Sequence, residues 1–218
     1  MDVYCMDDSA HIVRRVCISR GSRPRRSAGF TIFELMIAVT IAGILLAVAT
    51  PNLRVFLQNN RLSAASNDLL RSFQVARSEA IKRQTQVVVC ASANPTDALP
   101  RCSYGTFNGW VVFQDSNSNW TLDAGEPILE RHDLLDTSIT VKTDNDGIES
   151  YASTGFSRGI DTKSPTRNIL ICDIRGNEVS ANLLSIERAV RISNTGRVRV
   201  SRVADDVTSA TATTGACP

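Results

Sequence analysis

A run of arginines near the C-terminus could bind phosphate. Five arginines and no acid lie between residues 188 and 202, and Arg197 and Arg199 alternate with valines. In a β-strand this alternation projects both guanidinium groups from one face, about 6.6 Å apart. Neighbouring phosphates of a nucleic-acid strand have a similar spacing, and guanidinium binds phosphate bidentately. The pattern indicates a basic stripe for a polyanion, with Arg191 and Arg202 as further contacts. The alternative is an edge strand whose charges discourage aggregation.

A second group of residues has the spacing of calcium ligands. Positions 1, 3, 5, 7, 9 and 12 of a calcium loop would be Asp115, Asn117, Asn119, Thr121, Asp123 and Glu126. However, Trp120 stands at the sixth position, where glycine normally permits the sharp turn. The alternative is an Asx-rich hairpin loop whose side chains bond their own backbone. We predict no metal site.

The chain lacks the residue groups that catalysis would need. His132 is the only histidine after residue 29, and there is no phosphate-binding loop. No nucleophile and base can therefore be paired. The sequence predicts a protein that is not an enzyme and needs no cofactor.

An apolar segment near the N-terminus has the length of a membrane span. The twenty-one residues from Phe30 to Thr50 carry one charge, Glu34, and as a helix they would extend about 31 Å. Residues 1–29 hold six arginines and three acids, so the positive-inside rule places them in the cytoplasm and the remainder outside. A carboxylate at membrane depth costs about 2.5 to 3.5 kcal/mol unless it has a partner or reaches the interface. We therefore expect Glu34 to have a partner.

Four cysteines follow the span: Cys90, Cys102, Cys172 and Cys217. An even number in an oxidising compartment predicts disulfides, and three pairings are possible. We favour Cys90 with Cys102, which closes a short loop, and Cys172 with Cys217, which ties the tail to a central strand. Zinc is the alternative, although the chain has no CxxC and His132 is the only external histidine.

The remaining residues predict one more helical segment and then strands. Helical spacing continues from residue 52 to 84, with apolar residues at Leu53, Phe56, Leu57, Ala64, Leu69, Phe73, Ala76 and Ala80. From Thr85 the period is that of β-strands, in QVVVCA, GWVVFQ, SITVK, NILICD, RAVRIS and GRVRVSRV. The tail DDVTSATATTGACP has few apolar residues, and we predict that it is irregular. The fold class is α+β.

The stretch AGFTIFEL, residues 28–35, resembles the N-terminus of type IV pilins and type II secretion pseudopilins. The resemblance implies that a prepilin peptidase cleaves between Gly29 and Phe30 and methylates the new amine of Phe30. Glu34, Gly43 and Pro51 fall at positions that these families use in filament assembly. In this interpretation Glu34 binds the free amine of a neighbouring subunit.

The resemblance also implies a division of the chain. Residues 1–29 would be a cytoplasmic leader that is removed, and residues 30–51 a helix that lies in the inner membrane and later in the filament core. Residues 52–84 would continue as an amphipathic helix, bent at Pro51, and residues 85–218 would form a periplasmic head.

The head resembles the GspH/FimT family of minor pilins and pseudopilins through ARSEAIKRQ, GWVVFQDSNSN, NILICD and RISNTGRVRV. The family implies a long N-terminal helix packed on two antiparallel β-sheets, in a low-abundance subunit that contacts other pilins or pseudopilins. Gly196, Arg197 and Arg199 resemble the DNA-binding motif of FimT-type minor pilins, which act in natural transformation. No aromatic residue lies beside this stripe, so double-stranded DNA would be bound without sequence specificity. Whether the subunit serves a type IV pilus or a type II secretion system stays open.

Overall fold

The computed structural model describes residues 29–103, 107–159, 165–176, 179 and 182–217, apart from the side chain of Pro51. The chain divides into two units, Met1–Ala49 and Thr50–Pro218. The predicted leader, with its arginines, lies outside the described residues except for Gly29.

The first element is helix α1, Ile32–Arg83. Thr31 precedes it, and the Thr31 Oγ1 accepts a hydrogen bond of 3.1 Å from the amide of Glu34, as an N-cap residue does. Glu34 lies in the first turn, where the helix dipole favours a carboxylate. Among the described residues this is the one helix that is long and apolar enough to cross a membrane, with a segment of mean hydropathy 2.5 that is fully exposed.

The α1 residues that pack into the head begin at Leu62. The buried face comprises Leu62, Ala65, Leu69, Phe73, Ala76 and Ala80, at the spacing of one helix side. Three of the apolar residues predicted for this face, Leu53, Phe56 and Leu57, are exposed. Ala64 is also exposed, and its neighbour Ala65 is buried in its place, because two adjacent alanines do not by themselves fix which one faces the core.

In the part of the chain that the structure describes, eight strands form two antiparallel sheets. Sheet A has the order β3-β2-β1-β5 and contains β1 (Gln86–Ala91), β2 (Trp110–Asp115), β3 (Ile128–His132) and β5 (Ile148–Tyr151). Sheet B has the order β4-β6-β7-β8 and contains β4 (Ile139–Thr143), β6 (Asn168–Asp173), β7 (Leu184–Ile192) and β8 (Val198–Val203). The prediction of a long N-terminal helix followed by two antiparallel sheets is confirmed.

All six predicted strands are present, but β3 and β5 were not predicted. Strand β3 has the sequence ILERH and is only partly buried. Strand β5 is four residues long and includes a buried glutamate, Glu149. Neither strand has the β-branched alternation by which a strand is recognised in a sequence.

The main core lies between α1 and one face of each sheet. Alternating residues of β1, β6 and β7 meet Phe73 and the other buried α1 residues, among them Val87, Val89, Ile169, Ile171 and Val190. We call these the inner faces of the sheets. A polar contact adds to this packing, because the indole Nε1 of Trp110 donates to the Ser72 Oγ of α1 at 2.9 Å.

Each outer face has its own cover. Trp120 and Leu122, from the loop between β2 and β3, pack on Val88, Val111 and Phe113 of sheet A. The outer face of sheet B is covered by the C-terminal tail, which is not irregular as predicted but forms helix α2, Ala204–Thr214.

A few apolar residues on one side of helix α2 are enough to pack it on sheet B. Val207 and Ala210 lie three residues apart, which places them on the same side of the helix, and they pack on Leu170 and Ala189 of sheet B. The rest of α2 is polar, so its average composition gives no sign of an amphipathic helix. The prediction for this segment was wrong because it relied on that average.

The structure contains both favoured disulfides, Cys90–Cys102 and Cys172–Cys217, with Cα–Cα distances of 5.5 Å and 6.2 Å. The first lies in the cluster on the outer face of sheet A. The second joins β6 to the segment that follows α2. One disulfide therefore lies beside each of the two segments that cover the outer faces, the loop with Trp120 and helix α2.

Glu149 lies on the inner side of β5, opposite Val89. Within the described part of the chain, neither of its carboxylate oxygens has a hydrogen-bond partner, and the same holds for the hydroxyls of Tyr151 and Ser157. Burial raises the pKa of Glu149 to about 8, while the Arg167 charge lowers it by a smaller amount and the Asp144 charge raises it. Below about pH 8 the folded head therefore holds Glu149 mainly in its neutral form.

This proton makes stability depend on pH. Because the pKa of Glu149 rises from 4.5 to about 8 on folding, its contribution is fully present below pH 4.5 and is lost as the pH rises towards 8. We expect the free energy of unfolding to fall across this window, by up to about 1.4 kcal/mol per pH unit. Glu149→Gln should flatten the slope, as measured by urea unfolding of the full chain in detergent, followed by tryptophan fluorescence. Equal slopes for the two proteins would contradict a buried neutral carboxyl.

Candidate functional site

The candidate site lies at the edge of sheet B, where β8 is the last strand. Arg199 on β8 pairs with Arg191 on β7, so their side chains leave the same face of the sheet. Arg197 lies just before β8 and lines the same groove, whose volume is about 510 Å³. The structure thus brings three of the predicted DNA-binding residues together, and we call this the basic groove.

An acid from α2 neutralises part of the basic groove. The Asp206 Oδ1 accepts hydrogen bonds from Arg191 Nη1 at 2.8 Å and Arg199 Nη2 at 2.9 Å. The Ser201 hydroxyl donates to its Oδ2 at 2.7 Å. The Ser201 hydroxyl and then the two arginines hold the pKa of Asp206 below its usual value. Asp206 was not a sequence candidate, because the tail that carries it was predicted to be irregular.

Arg197 differs from its two neighbours. Its side chain is exposed, and within the described residues its guanidinium forms no hydrogen bond or ion pair. Arg197 can therefore bind an external phosphate without first breaking an ion pair, unlike Arg191 and Arg199.

The other two arginines of the stripe face the opposite way. Arg202 follows Val198 and Val200, which pack towards the main core, and its Nε donates to the Ser185 carbonyl at 3.2 Å. Arg188 is almost fully buried, and this burial lowers its pKa to about 10. Arg202, a predicted contact, therefore does not join the basic groove.

Gly196 has a structural role in the turn between β7 and β8. Its φ is +75°, and a Cβ added there would lie 2.2 Å from the Gly155 carbonyl oxygen and 3.1 Å from Tyr151 Cε1. Its amide donates to the Ser193 carbonyl at 2.8 Å. A side chain at this position would clash with the backbone, so the turn requires glycine whether or not DNA is bound.

The loop with calcium-like spacing is closed by its own backbone. Asp115 accepts hydrogen bonds from the amides of Asn119 and Trp120 at 3.2 Å and 2.9 Å. Glu126 accepts from the amides of Ser116 and Asp123 at 2.8 Å and 3.0 Å. These bonds fit the Asx-rich loop, and Trp120 replaces the expected glycine because its buried side chain covers sheet A.

The assembly candidates lie along the N-terminal segment. Gly29, Phe30, Glu34 and Gly43 are all exposed, and Pro51 lies within α1. Among the described residues, nothing would come within 4 Å of a Cβ added at Gly43. The described residues therefore give no packing reason for glycine at this position.

Comparison with known proteins assigns the family. Residues 65–203, more than half of the chain, match the family described as type II transport protein GspH. The chain belongs to the GspH family. Residues 24–50 match the prokaryotic N-terminal methylation motif. It is thus a pilin-type structural subunit and not an enzyme, and its apolar N-terminal helix and prepilin-type motif indicate a membrane anchor before the folded head.

Two solved structures are similar to the GspH-family chain. Both are crystal structures of the type IV minor pilin FimU from Pseudomonas aeruginosa strain PAO1. The first is 19% identical, with a TM-score of 0.45 over 67% of this chain and 92% of that chain. The second is 18% identical, with a TM-score of 0.42 over 64% and 92%. The search of curated proteins found no match.

Substitution of Gly196 tests its role in the turn. A non-glycine residue at positive φ costs about 1 to 2 kcal/mol, and Gly196→Ala adds a clash with a backbone oxygen. Gly125→Ala is the matched control, because Gly125 has φ +97° but open space around it. We expect urea unfolding to show a larger loss for Gly196→Ala than for the control. Equal losses would mean that the Gly155 contact adds nothing.

Proposed function

We propose that this GspH-family protein is a minor type IV pilin that is assembled into a pilus, contributes to pilus biogenesis and binds double-stranded DNA in natural transformation. The observation that carries the DNA proposal is the basic groove, in which the exposed Arg197 has no hydrogen-bond or ion-pair partner among the described residues and shares the groove with Arg191 and Arg199. Family membership and the methylation motif support the pilin part.

Maturation follows from the N-terminal motif. A prepilin peptidase removes residues 1–29 by cleaving between Gly29 and Phe30 and methylates the Phe30 amine. The exposed Glu34 carboxylate then has a partner in the amine of a neighbouring subunit, which offsets the cost of a charge at membrane depth. Gly43 supports helix-to-helix contact, because small residues allow close approach in membranes and filament cores. Pro51 ends the segment that enters the filament.

The proposed arrangement places the anchor and the head in different surroundings. Residues 30–51 lie in the inner membrane before assembly, residues 52–84 extend the helix, and residues 85–218 form a head in the periplasm. An oxidising periplasm fits the two disulfides. After assembly the head is carried on the filament.

DNA binding in the groove would be electrostatic. Phosphate could bind Arg191 and Arg199 only by competing with Asp206 for them. Arg197 has no such competitor among the described residues. The groove has no aromatic lining residue, so the bases would not be stacked. Binding would therefore be independent of sequence and would weaken steeply with salt.

A salt titration with duplex DNA tests this proposal on the full chain in detergent. We expect log K to fall linearly with log salt concentration, and Arg197→Ala to reduce the slope by about 0.9, the value for one phosphate. Asp206→Asn should raise the affinity, because it releases two guanidinium groups. Arg202→Ala is the matched control, since Arg202 points away from the groove. Undiminished binding by the double variant Arg197→Ala with Arg199→Ala would reject the basic groove as the DNA-binding site.

The second candidate is a minor pseudopilin of the H class, in the tip of a type II secretion pseudopilus. The pairing of Asp206 with two of the three groove arginines favours it, because a protein-contact surface needs no free cations. Deletion of the gene distinguishes the two functions. Loss of exoprotein release with normal twitching and transformation selects the secretion role, and the opposite pattern selects the pilus role.

A further inference from the structure

The disulfide Cys172–Cys217 has a buried carboxyl group beside it. The register of β6 and β7 pairs Ile171 with Arg188, and its continuation places Glu187 opposite Cys172. The Sγ atoms of Cys172 and Cys217 and a carboxylate oxygen of Glu187 all lie within 4.8 Å of one another. Glu187 is completely buried.

Glu187 has no partner that explains its burial. Neither of its oxygens has a hydrogen-bond partner among the described residues. Two charged side chains of the surrounding elements are engaged elsewhere, since Lys142 on β4 donates to the Ala216 carbonyl and Asp206 on α2 binds Arg191 and Arg199. Burial alone raises the pKa of Glu187. An unpaired buried acid is costly to a fold and is uncommon unless it has a function.

The second disulfide of the same chain provides a comparison. Cys90 and Cys102 pack among apolar residues such as Val88, Val111 and Phe113. Among the described residues, Cys172, Glu187 and Cys217 are the one group of three or more histidine, cysteine or acidic side chains whose ligand atoms lie this close together. A disulfide that only ties two segments together needs no acid, as Cys90–Cys102 shows.

We propose that Cys172, Cys217 and Glu187 form a thiol–disulfide exchange site, in which Glu187 transfers the proton of the buried sulfur. The co-reactant is an external dithiol, such as a pair of cysteines on another protein. The half-buried Cys217 is the sulfur under attack, and the fully buried Cys172 is the leaving group.

The reaction balances in two steps. A thiolate of the external dithiol attacks Cys217 Sγ, a mixed disulfide forms, and Cys172 leaves as a thiolate that takes the proton of the Glu187 carboxyl. The second thiol of the co-reactant, ionised by loss of its proton to water, then attacks the mixed disulfide and releases Cys217 as a thiolate, which takes a proton from water. The external dithiol is oxidised by two electrons and the protein disulfide is reduced. In the reverse direction the Glu187 carboxylate accepts the proton of the Cys172 thiol.

Opening of this disulfide removes the covalent link between β6 and the segment after α2. Helix α2 is then held by Val207, Ala210 and the ion pairs of Asp206. The exchange site therefore determines how firmly the cover of sheet B is attached.

Reduction of the full chain in detergent by dithiothreitol tests this proposal. Timed alkylation and mass spectrometry give a separate reduction rate for each disulfide. The ionisation of dithiothreitol changes both rates by the same factor, so its effect cancels in their ratio. In the wild-type chain we expect this ratio, Cys172–Cys217 over Cys90–Cys102, to fall as the pH rises through the raised pKa of Glu187 and its carboxyl group loses its proton. Where the wild-type Glu187 is protonated, Glu187→Gln should lower the ratio by about a hundredfold or more, the scale of general acid catalysis, and make it independent of pH.

Two further results separate acid–base transfer from a structural role. Glu187→Asp keeps an acid, so it should restore part of the rate and the pH dependence that Glu187→Gln loses. The Cys90–Cys102 rate should be the same in every variant. A wild-type ratio that does not change with pH would overturn the proposal, and so would equal ratios for Glu187→Gln and wild type. The wild-type measurement decides the question even if a variant fails to fold.

Discussion

Burial of the α1 face from Leu62 to Ala80 is the interaction on which the head depends, because residues of both sheets pack around it. One helix face can cover only the inner side of each sheet. The outer sides still carry apolar residues, Val88 and Phe113 on sheet A and Leu170 and Ala189 on sheet B. Their exposure to water would cost about 25 cal/mol for each Å² of apolar surface. The chain therefore needs two further covers, and the loop with Trp120 and helix α2 supply them.

The cover of sheet B also determines the chemistry of that face. With α2 in place, Asp206 reaches Arg191 and Arg199, and Cys217 reaches Cys172 above Glu187. Both features arise from the packing of Val207 and Ala210, which are conventional core contacts. The charge of the groove and the chemistry of the disulfide therefore depend on the same helix.

The sequence predicted the parts of this structure that have a local signature. Strand β6 has the same bounds as NILICD, and the favoured one of the three possible cysteine pairings is present. Other features depend on contacts between distant residues, so no local pattern contains them. Gly155 fixes the need for glycine at position 196, Asp206 meets arginines of two strands, and the choice between Ala64 and Ala65 depends on where the sheets lie. The prediction that groups Arg202 with the groove is wrong for a local reason, since Arg202 follows Arg199 by three residues and alternation along a strand places it on the opposite face.

The effect of Asp206 on the groove can be judged by magnitude. The side chain of Arg199 is 62% exposed and that of Asp206 21% exposed, and ion pairs of this kind contribute about 0 to 1 kcal/mol. One carboxylate opposite three guanidinium groups leaves an excess of two positive charges. Phosphate that displaces Asp206 thus gives up little, and each neutralised phosphate releases condensed counterions. If the groove binds DNA as proposed, the ion pairs would therefore lower its affinity without abolishing it, and the position of α2 would influence that affinity.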